Sequence, residues 1–120
     1  MTSVLVVEDE AFTALALVDE LSDLGYTVRD AVDGEEAVGV LETFSPDILI
    51  TDFMMPKMGG DALIRYVRAR GGRMIPVVLI SGLPESRLPA DIGYDAYLGK
   101  PLDEGALAQT VNRLIAKYRV

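Results

Sequence analysis

The sequence predicts an α/β fold: a parallel sheet with helices on both faces. Three observations carry this. Short strand-like segments recur five times along the chain, most of them apolar runs. Segments with apolar residues at helical spacing separate them. Several runs end in an acid, a serine or a lysine, as strands do at the carboxyl edge of an open parallel sheet.

Each element follows in order. Residues 4–7 are apolar throughout, as in a strand buried on both faces. They run into Glu8, Asp9 and Glu10. Ala11, Leu15, Val18 and Leu21 then recur at helical spacing over 11–24, and Gly25 stops that helix. Residues 26–31 form the second strand. Asp33 with Glu36 resembles a capping box for a helix through Phe44, which Ser45-Pro46 ends. Residues 47–51 form the third strand, ending at Asp52. A loop with Pro56, Gly59 and Gly60 leads to a helix over 61–70, with Leu63, Ile64 and Val67 as its stripe and Gly71-Gly72 closing it. Residues 76–80 form the fourth strand, ending at Ser81-Gly82. Pro84, Pro89 and Gly93 make any helix within 83–93 short or irregular. Residues 96–98 form a short fifth strand before Gly99-Lys100-Pro101. Asp103 caps a last helix over 104–117, with Leu107, Val111, Leu114 and Ile115 inward. No linker or repeat interrupts this, so one domain over 1–120 is expected.

Composition narrows the function. With 19 acids and 11 bases the net charge is −8, so a basic face for nucleic acid is not expected. Cysteine and histidine are both absent, which excludes disulfides, thiolate metal sites, Ser-His-Asp and Cys-His catalysis, and phosphohistidine on this chain. No run is long enough to span a bilayer and no signal peptide opens the chain, so a cytoplasmic protein is expected.

The strand ends collect Glu8 and Asp9, Asp52, Ser81 and Lys100. Converging carboxylates need a counterion, or each raises the others' pKa. Mg²⁺ fits, because it takes hard oxygen ligands and keeps waters that a phosphate can displace. A metal-bound carboxylate beside a lysine is suited to accept a phosphoryl group, giving an aspartyl phosphate. Each residue also has a plainer reading. Asp52 alone is a turn former, 8–10 a solvated acidic turn favoured by a helix dipole, Ser81 a turn serine and Lys100 a surface lysine. Their coincidence at successive strand ends carries the argument.

These features resemble the receiver domains of two-component response regulators, over essentially the whole chain. The matching motifs are Val-Val-Glu-Asp-Glu at 6–10, Asp-Phe-Met-Met-Pro-Lys-Met-Gly-Gly at 52–60, Ile-Ser-Gly at 80–82 and Asp-Ala-Tyr-Leu-Gly-Lys-Pro at 95–101. The resemblance implies a flavodoxin-like, doubly wound five-stranded sheet of order 2-1-3-4-5. It implies that Asp52 is the phosphoacceptor, and that Asp9, Asp52 and the backbone carbonyl of Met54 hold Mg²⁺, with Glu8 acting through a bound water. Ser81 would be the hydroxyl switch, Tyr97 the aromatic switch, and Lys100 the phosphoryl contact, aimed by a cis peptide before Pro101. Tyr97 also reads as a strand aromatic packed on a neighbouring helix.

The chain departs from the family in places. The span from Ser81 to Lys100 is shorter than usual by about one helical turn, which puts the usual dimerisation through the fourth-helix face in doubt. Gly59 stands where an acid is common. Met54 and Leu83, two residues after Asp52 and Ser81, flank the path of the hydrolytic water in the family. Both are apolar, so slow self-dephosphorylation is expected.

The expected function is a stand-alone signalling switch rather than a metabolic enzyme. It would take its phosphoryl group from a histidine kinase or phosphotransfer protein and pass the signal to a protein target, with no DNA-binding segment after Val120. A receiver cut from a hybrid histidine kinase is an alternative. A haloacid-dehalogenase-like phosphatase would want a second Asp where Met54 stands. A flavodoxin-like cofactor binder would have to bind phosphate beside the acids at 8–10.

Overall fold

Each of the five strand-like segments forms a strand in the computed structural model, in which residues 2–71 and 74–118 are described. The strands are β1 (Ser3–Val7), β2 (Thr27–Ala31), β3 (Ile48–Asp52), β4 (Val77–Ser81) and β5 (Ala96–Gly99). All neighbours pair in parallel, in the order β2-β1-β3-β4-β5. This is the doubly wound flavodoxin-like sheet expected from the motifs. Gly72, expected to help close the third helix, lies outside the described residues, as do Met1 and Val120.

Strand side chains alternate faces, so one apolar run feeds two cores. Val4 and Val6, with Ile48, Ile50, Val78 and Ile80, pack under α1 (Ala11–Asp23) and α4 (Ala106–Tyr118). Leu5, Val7, Leu49, Val77 and Leu79 pack under α2 (Gly34–Leu41) and α3 (Gly60–Ala69). β3 and β4 are buried along their whole lengths. Asp52 and Ser81 therefore end the two most deeply buried strands.

Three helix expectations need correction. The inward stripe of α1 is Ala14, Leu17 and Leu21, while Ala11 and Leu15 face solvent. Residues 14–18 are apolar throughout, so spacing alone cannot choose the inward face. Helix α2 stops at Leu41 rather than Phe44. The amides of Thr43 and Phe44 both turn back to the Val40 carbonyl, which ends the regular ladder. Helix α4 starts at Ala106 and not at Glu104. Gly105, at φ 80°, breaks the helical path, and Asp103 accepts from the Ala106 amide through its backbone carbonyl.

The Asp33 cap is present, with the Glu36 amide donating to Asp33 Oδ1 at 2.8 Å. The return bond comes one residue early: Val32 N–H, not Asp33 N–H, donates to Glu36 Oε1 at 3.2 Å.

The connection from β4 to β5 holds one 3₁₀ turn, Glu85–Arg87, and no α-helix, as the prolines predict. Leu88 and Ile92 anchor it in the core shared with α2 and α3. Arg68 holds its far end, donating to the carbonyls of Ile75 (2.6 Å) and Gly93 (2.9 Å) and to Asp95 (2.8 Å). Tyr94 closes the connection on itself, its hydroxyl donating to Glu85 Oε2 at 2.6 Å.

That bond to Glu85, backed by burial and the carboxylate charge, pushes the Tyr94 phenol up from 10.0 to about 12. The protonated phenol makes the bond. Its contribution is therefore complete below the ordinary tyrosine value and is lost as pH rises through about 12. Alkaline titration of tyrosinate absorbance should show a component near 12 that Tyr94→Phe removes. A variant with an unchanged alkaline limb would contradict the clasp.

Candidate phosphoacceptor site

Register brings the polar strand ends together. Asp52 closes β3 opposite Ile80, and Ser81 closes β4 opposite Gly99. The Phe53 amide donates to Ile80 O at 3.0 Å and the Lys100 amide to Ser81 O at 2.8 Å, carrying the ladder one step past the strands. At the end of β1, the Glu8 amide donates to Ala31 O at 3.0 Å.

Glu8 and Asp52 are buried and Asp9 is exposed, yet one oxygen from each lies within 4.8 Å of the others. Lys100 Nζ enters this cluster, donating to Asp52 Oδ2 at 2.8 Å and lying 2.7 Å from Glu8 Oε1. The second contact is an ion pair, and among the described residues the buried Glu8 Oε1 has no other partner.

Burial pushes the Glu8 carboxyl above its usual range. Lys100 and the Glu10 amide oppose the rise, and the Asp52 charge adds to it. Burial acts to lower Lys100 as well, but its bonds to Asp52 and Glu8 outweigh that and leave it above its ordinary range. Three hard carboxylates, two of them buried, around a single ammonium fit a small divalent cation with oxygen preference.

The loop after β3 is held tightly. The Met58 amide donates to Pro56 O at 2.8 Å, making a three-residue turn that forces Lys57 to φ 67°. Such a φ is strained for a lysine. Two glycines make the loop possible. The Gly34 amide donates to Met58 O at 3.0 Å and the Gly60 amide to Phe53 O at 2.8 Å. A Cβ on Gly60 would lie 2.2 Å from the Asp52 carbonyl oxygen, and one on Gly34 would lie 2.6 Å from Met58 O. Gly59 precedes α3 with no side-chain cap.

Met54 is exposed on this loop. With Asp9, Phe53, Met55, Pro56 and Asp61 it walls an open cavity of about 450 Å³ beside the acids. Ser81 is buried, and its Oγ accepts from the Leu83 amide at 3.0 Å. Tyr97 is half-buried, packs on the core under α2 and α3, and donates its hydroxyl to the Leu83 carbonyl. Leu83 thus meets both expected switch residues through one backbone unit. The Lys100–Pro101 peptide is cis, as expected.

The structure therefore gathers Glu8, Asp9, Asp52 and Lys100 directly, and links Ser81 to Tyr97 through Leu83. Sequence reasoning missed Gly34, which gave no sign beyond its place after a cap. It also missed Thr51, whose buried hydroxyl donates to the Asp52 carbonyl at 2.9 Å. It left Glu10 inside an acidic turn, though an acid just before a helical stripe is a capping signal.

Comparison with known proteins agrees with this geometry. The family model of the response regulator receiver domain matches residues 4–112. Sensor kinase CckA of Brucella abortus is 36% identical over 121 residues, covering 96% of this chain and 13% of that protein. The chain spans between 12% and 58% of the length of curated relatives it matches. The signal receiver domain of a signal transduction histidine kinase from Syntrophus aciditrophicus superposes with a TM-score of 0.90 at 34% identity, covering 98% of this chain and 92% of that one. The receiver domain of sensor histidine kinase PA1611 from Pseudomonas aeruginosa, solved with a magnesium ion in its active-site cleft, gives 0.85 at 28% identity, covering 96% and 98%. This chain belongs to the response regulator receiver domain family of two-component signalling. Among the described residues, no helix is long and apolar enough to cross a membrane.

Gly60 gives the site its sharpest steric test. Gly60→Ala should lower the thermal midpoint and slow phosphoryl acceptance together, because the added methyl drives into the Asp52 carbonyl. A variant with wild-type melting and labelling would show that the loop yields at no cost.

Proposed function

We propose that this receiver is a cytoplasmic phosphorylation switch that accepts a phosphoryl group on Asp52 from a histidine kinase or histidine phosphotransfer protein. The observation that carries this is Lys100 Nζ, 2.8 Å from Asp52 Oδ2 and 2.7 Å from Glu8 Oε1 at the carboxyl edge of the sheet. A buried carboxylate with one fixed cation is poised to receive a group that brings its own anionic oxygens.

Asp52 and Asp9, with the Met54 backbone carbonyl, would hold Mg²⁺, and Glu8 would act through a bound water. When bound, the ion neutralises and aligns the phosphoryl oxygens. An Asp52 carboxylate oxygen attacks phosphorus in line. The new O–P bond forms as the donor's N–P bond breaks, and the donor imidazole leaves with its electron pair. Lys100 then pairs with the transferred oxygens as a point charge. Phe12, 82% exposed beside Lys100 and Leu102, gives a protein donor an apolar landing next to the acceptor.

The same site carries the signal outward. The phosphoryl oxygens draw the Ser81 hydroxyl away from the Leu83 amide. Tyr97 bonds the carbonyl of that residue, so both switch side chains respond at one point of the β4–β5 connection. Its changed surface alters contact with a protein target.

Acetyl phosphate or beryllofluoride with Mg²⁺, read by mass and NMR, tests this. One adduct is expected, absent in Asp52→Asn, with shifts at Ser81, Leu83 and Tyr97. A label that persists in Asp52→Asn would sink the assignment.

The lifetime of the product is a separate expectation. Neither Met54 nor Leu83 has a side chain that can orient an attacking water, so the acyl phosphate should outlast minutes. Met54→Asn should shorten it several-fold. A wild-type half-life of seconds would refute the role of these two positions.

A further inference from the structure

We propose that Glu10 is a positioning residue for the cation site: as N-cap of α1 it fixes its own amide on Glu8 and so orients the Glu8 carboxylate. The inference rests on the Mg²⁺-dependent reading above and adds to it a residue outside the ligand set.

Helix N-caps are usually Ser, Thr, Asp or Asn, whose short side chains reach the first free amides. Glu10 has a longer chain to immobilise, and three donors do so. The Phe12 amide donates to Oε2 at 3.2 Å, and the Thr13 amide and hydroxyl donate to Oε1 at 2.8 and 2.7 Å. These bonds, those from Thr13 foremost, hold the Glu10 carboxyl below its usual range. The cap fixes Glu10 in an extended conformation, φ −90° and ψ 117°.

In that conformation the Glu10 amide donates to Glu8 Oε2 at 3.0 Å. Glu8 is nearly sealed from solvent, 2% exposed, so water cannot set its rotation. One of its oxygens is taken by the Glu10 amide. The other, Oε1, lies 2.7 Å from Lys100 Nζ and has no further partner among the described residues. The Glu10 amide thus fixes the plane of the Glu8 carboxylate and keeps its second oxygen turned inward. Thr13, Glu10 and Glu8 form a chain of bonds from the surface of α1 to the acceptor.

The test is Mg²⁺ affinity by calorimetry at fixed ionic strength, in the full chain and without phosphodonor. Glu10→Ala removes cap and charge. Glu10→Asn restores a capping oxygen without the charge. Ala16→Gly weakens α1 at an exposed position remote from the cap. Glu10→Ala should bind Mg²⁺ about 10-fold more weakly, as expected for loss of an outer-shell carboxylate partner. Glu10→Asn should return to within about 3-fold of wild type, and Ala16→Gly should bind as wild type. The amide at position 10 should lose hydrogen-exchange protection only in Glu10→Ala.

Equal weakening in Glu10→Asn and Glu10→Ala would make the effect one of charge and overturn the proposal. Weakening in Ala16→Gly to match would make it one of helix stability and overturn it too. Unchanged binding in Glu10→Ala overturns it while leaving the receiver reading intact. A wild-type chain that binds no Mg²⁺ brings down both.

Discussion

Lys100 is the cation on which the acceptor edge depends. The topology delivers Glu8, Asp9 and Asp52 to one point, because β1 and β3 are neighbours at the centre of the sheet and all strands run the same way. Two of these carboxylates are buried, and burial alone drives Glu8 toward its neutral form. An ammonium within 2.8 Å of both Glu8 and Asp52 opposes that drive. It leaves three carboxylates around one ammonium. On the proposed reading, a second cation meets the negative charge that remains.

The surroundings of the acceptor divide into a pinned side and a pliant side. On the pinned side, Gly34 and Gly60 let backbone approach backbone more closely than any Cβ allows, and Lys57 accepts a strained φ to close the turn. The buried Thr51 hydroxyl adds a bond to the Asp52 carbonyl. On the proposed reading, these contacts hold Asp52 where a donor must find it in line. On the other side, β4 hands over to a connection with a single 3₁₀ turn, fixed mainly by Leu88, Ile92 and Arg68. Strain and close packing sit around Asp52, and sparser anchoring sits along the connection that, on the proposed reading, responds to it.

Sequence reading reached the fold and the directly gathered residues because both are written in local pattern. Apolar runs alternating with helical stripes give a parallel sheet, and strand-end acids, serine and lysine give its active edge. The limits were equally physical. Apolar residues all round the middle of α1 left its inward face undetermined, and Leu15 was assigned inward although it faces solvent. Asp103 had the composition of a cap, but Gly105 at positive φ moved the helix start beyond it. The need for glycine at 34 and 60 depends on backbone from distant segments, which no window of sequence contains. The role of Leu83 was invisible because it lies in the peptide unit, while the sequence displays only an apolar side chain.

The Leu83 backbone bears on how a receiver with no α-helix between β4 and β5 would transmit on the proposed reading. An α-helix after Ser81 would begin to satisfy its own backbone within a turn. Here the Leu83 amide is satisfied by Ser81 Oγ and its carbonyl by the Tyr97 hydroxyl, so local order is supplied by side chains. A half-buried amide that loses its acceptor must find water or another oxygen. On the proposed reading, a phosphoryl group on Asp52 that recruits the Ser81 hydroxyl imposes this demand on Leu83 and on the first turn of the connection. Leu88 and Ile92 remain buried and confine the response to the few residues before them. The loss of a helix thus concentrates the conformational consequence of phosphorylation on Leu83–Arg87, beside the clasp of Tyr94 on Glu85.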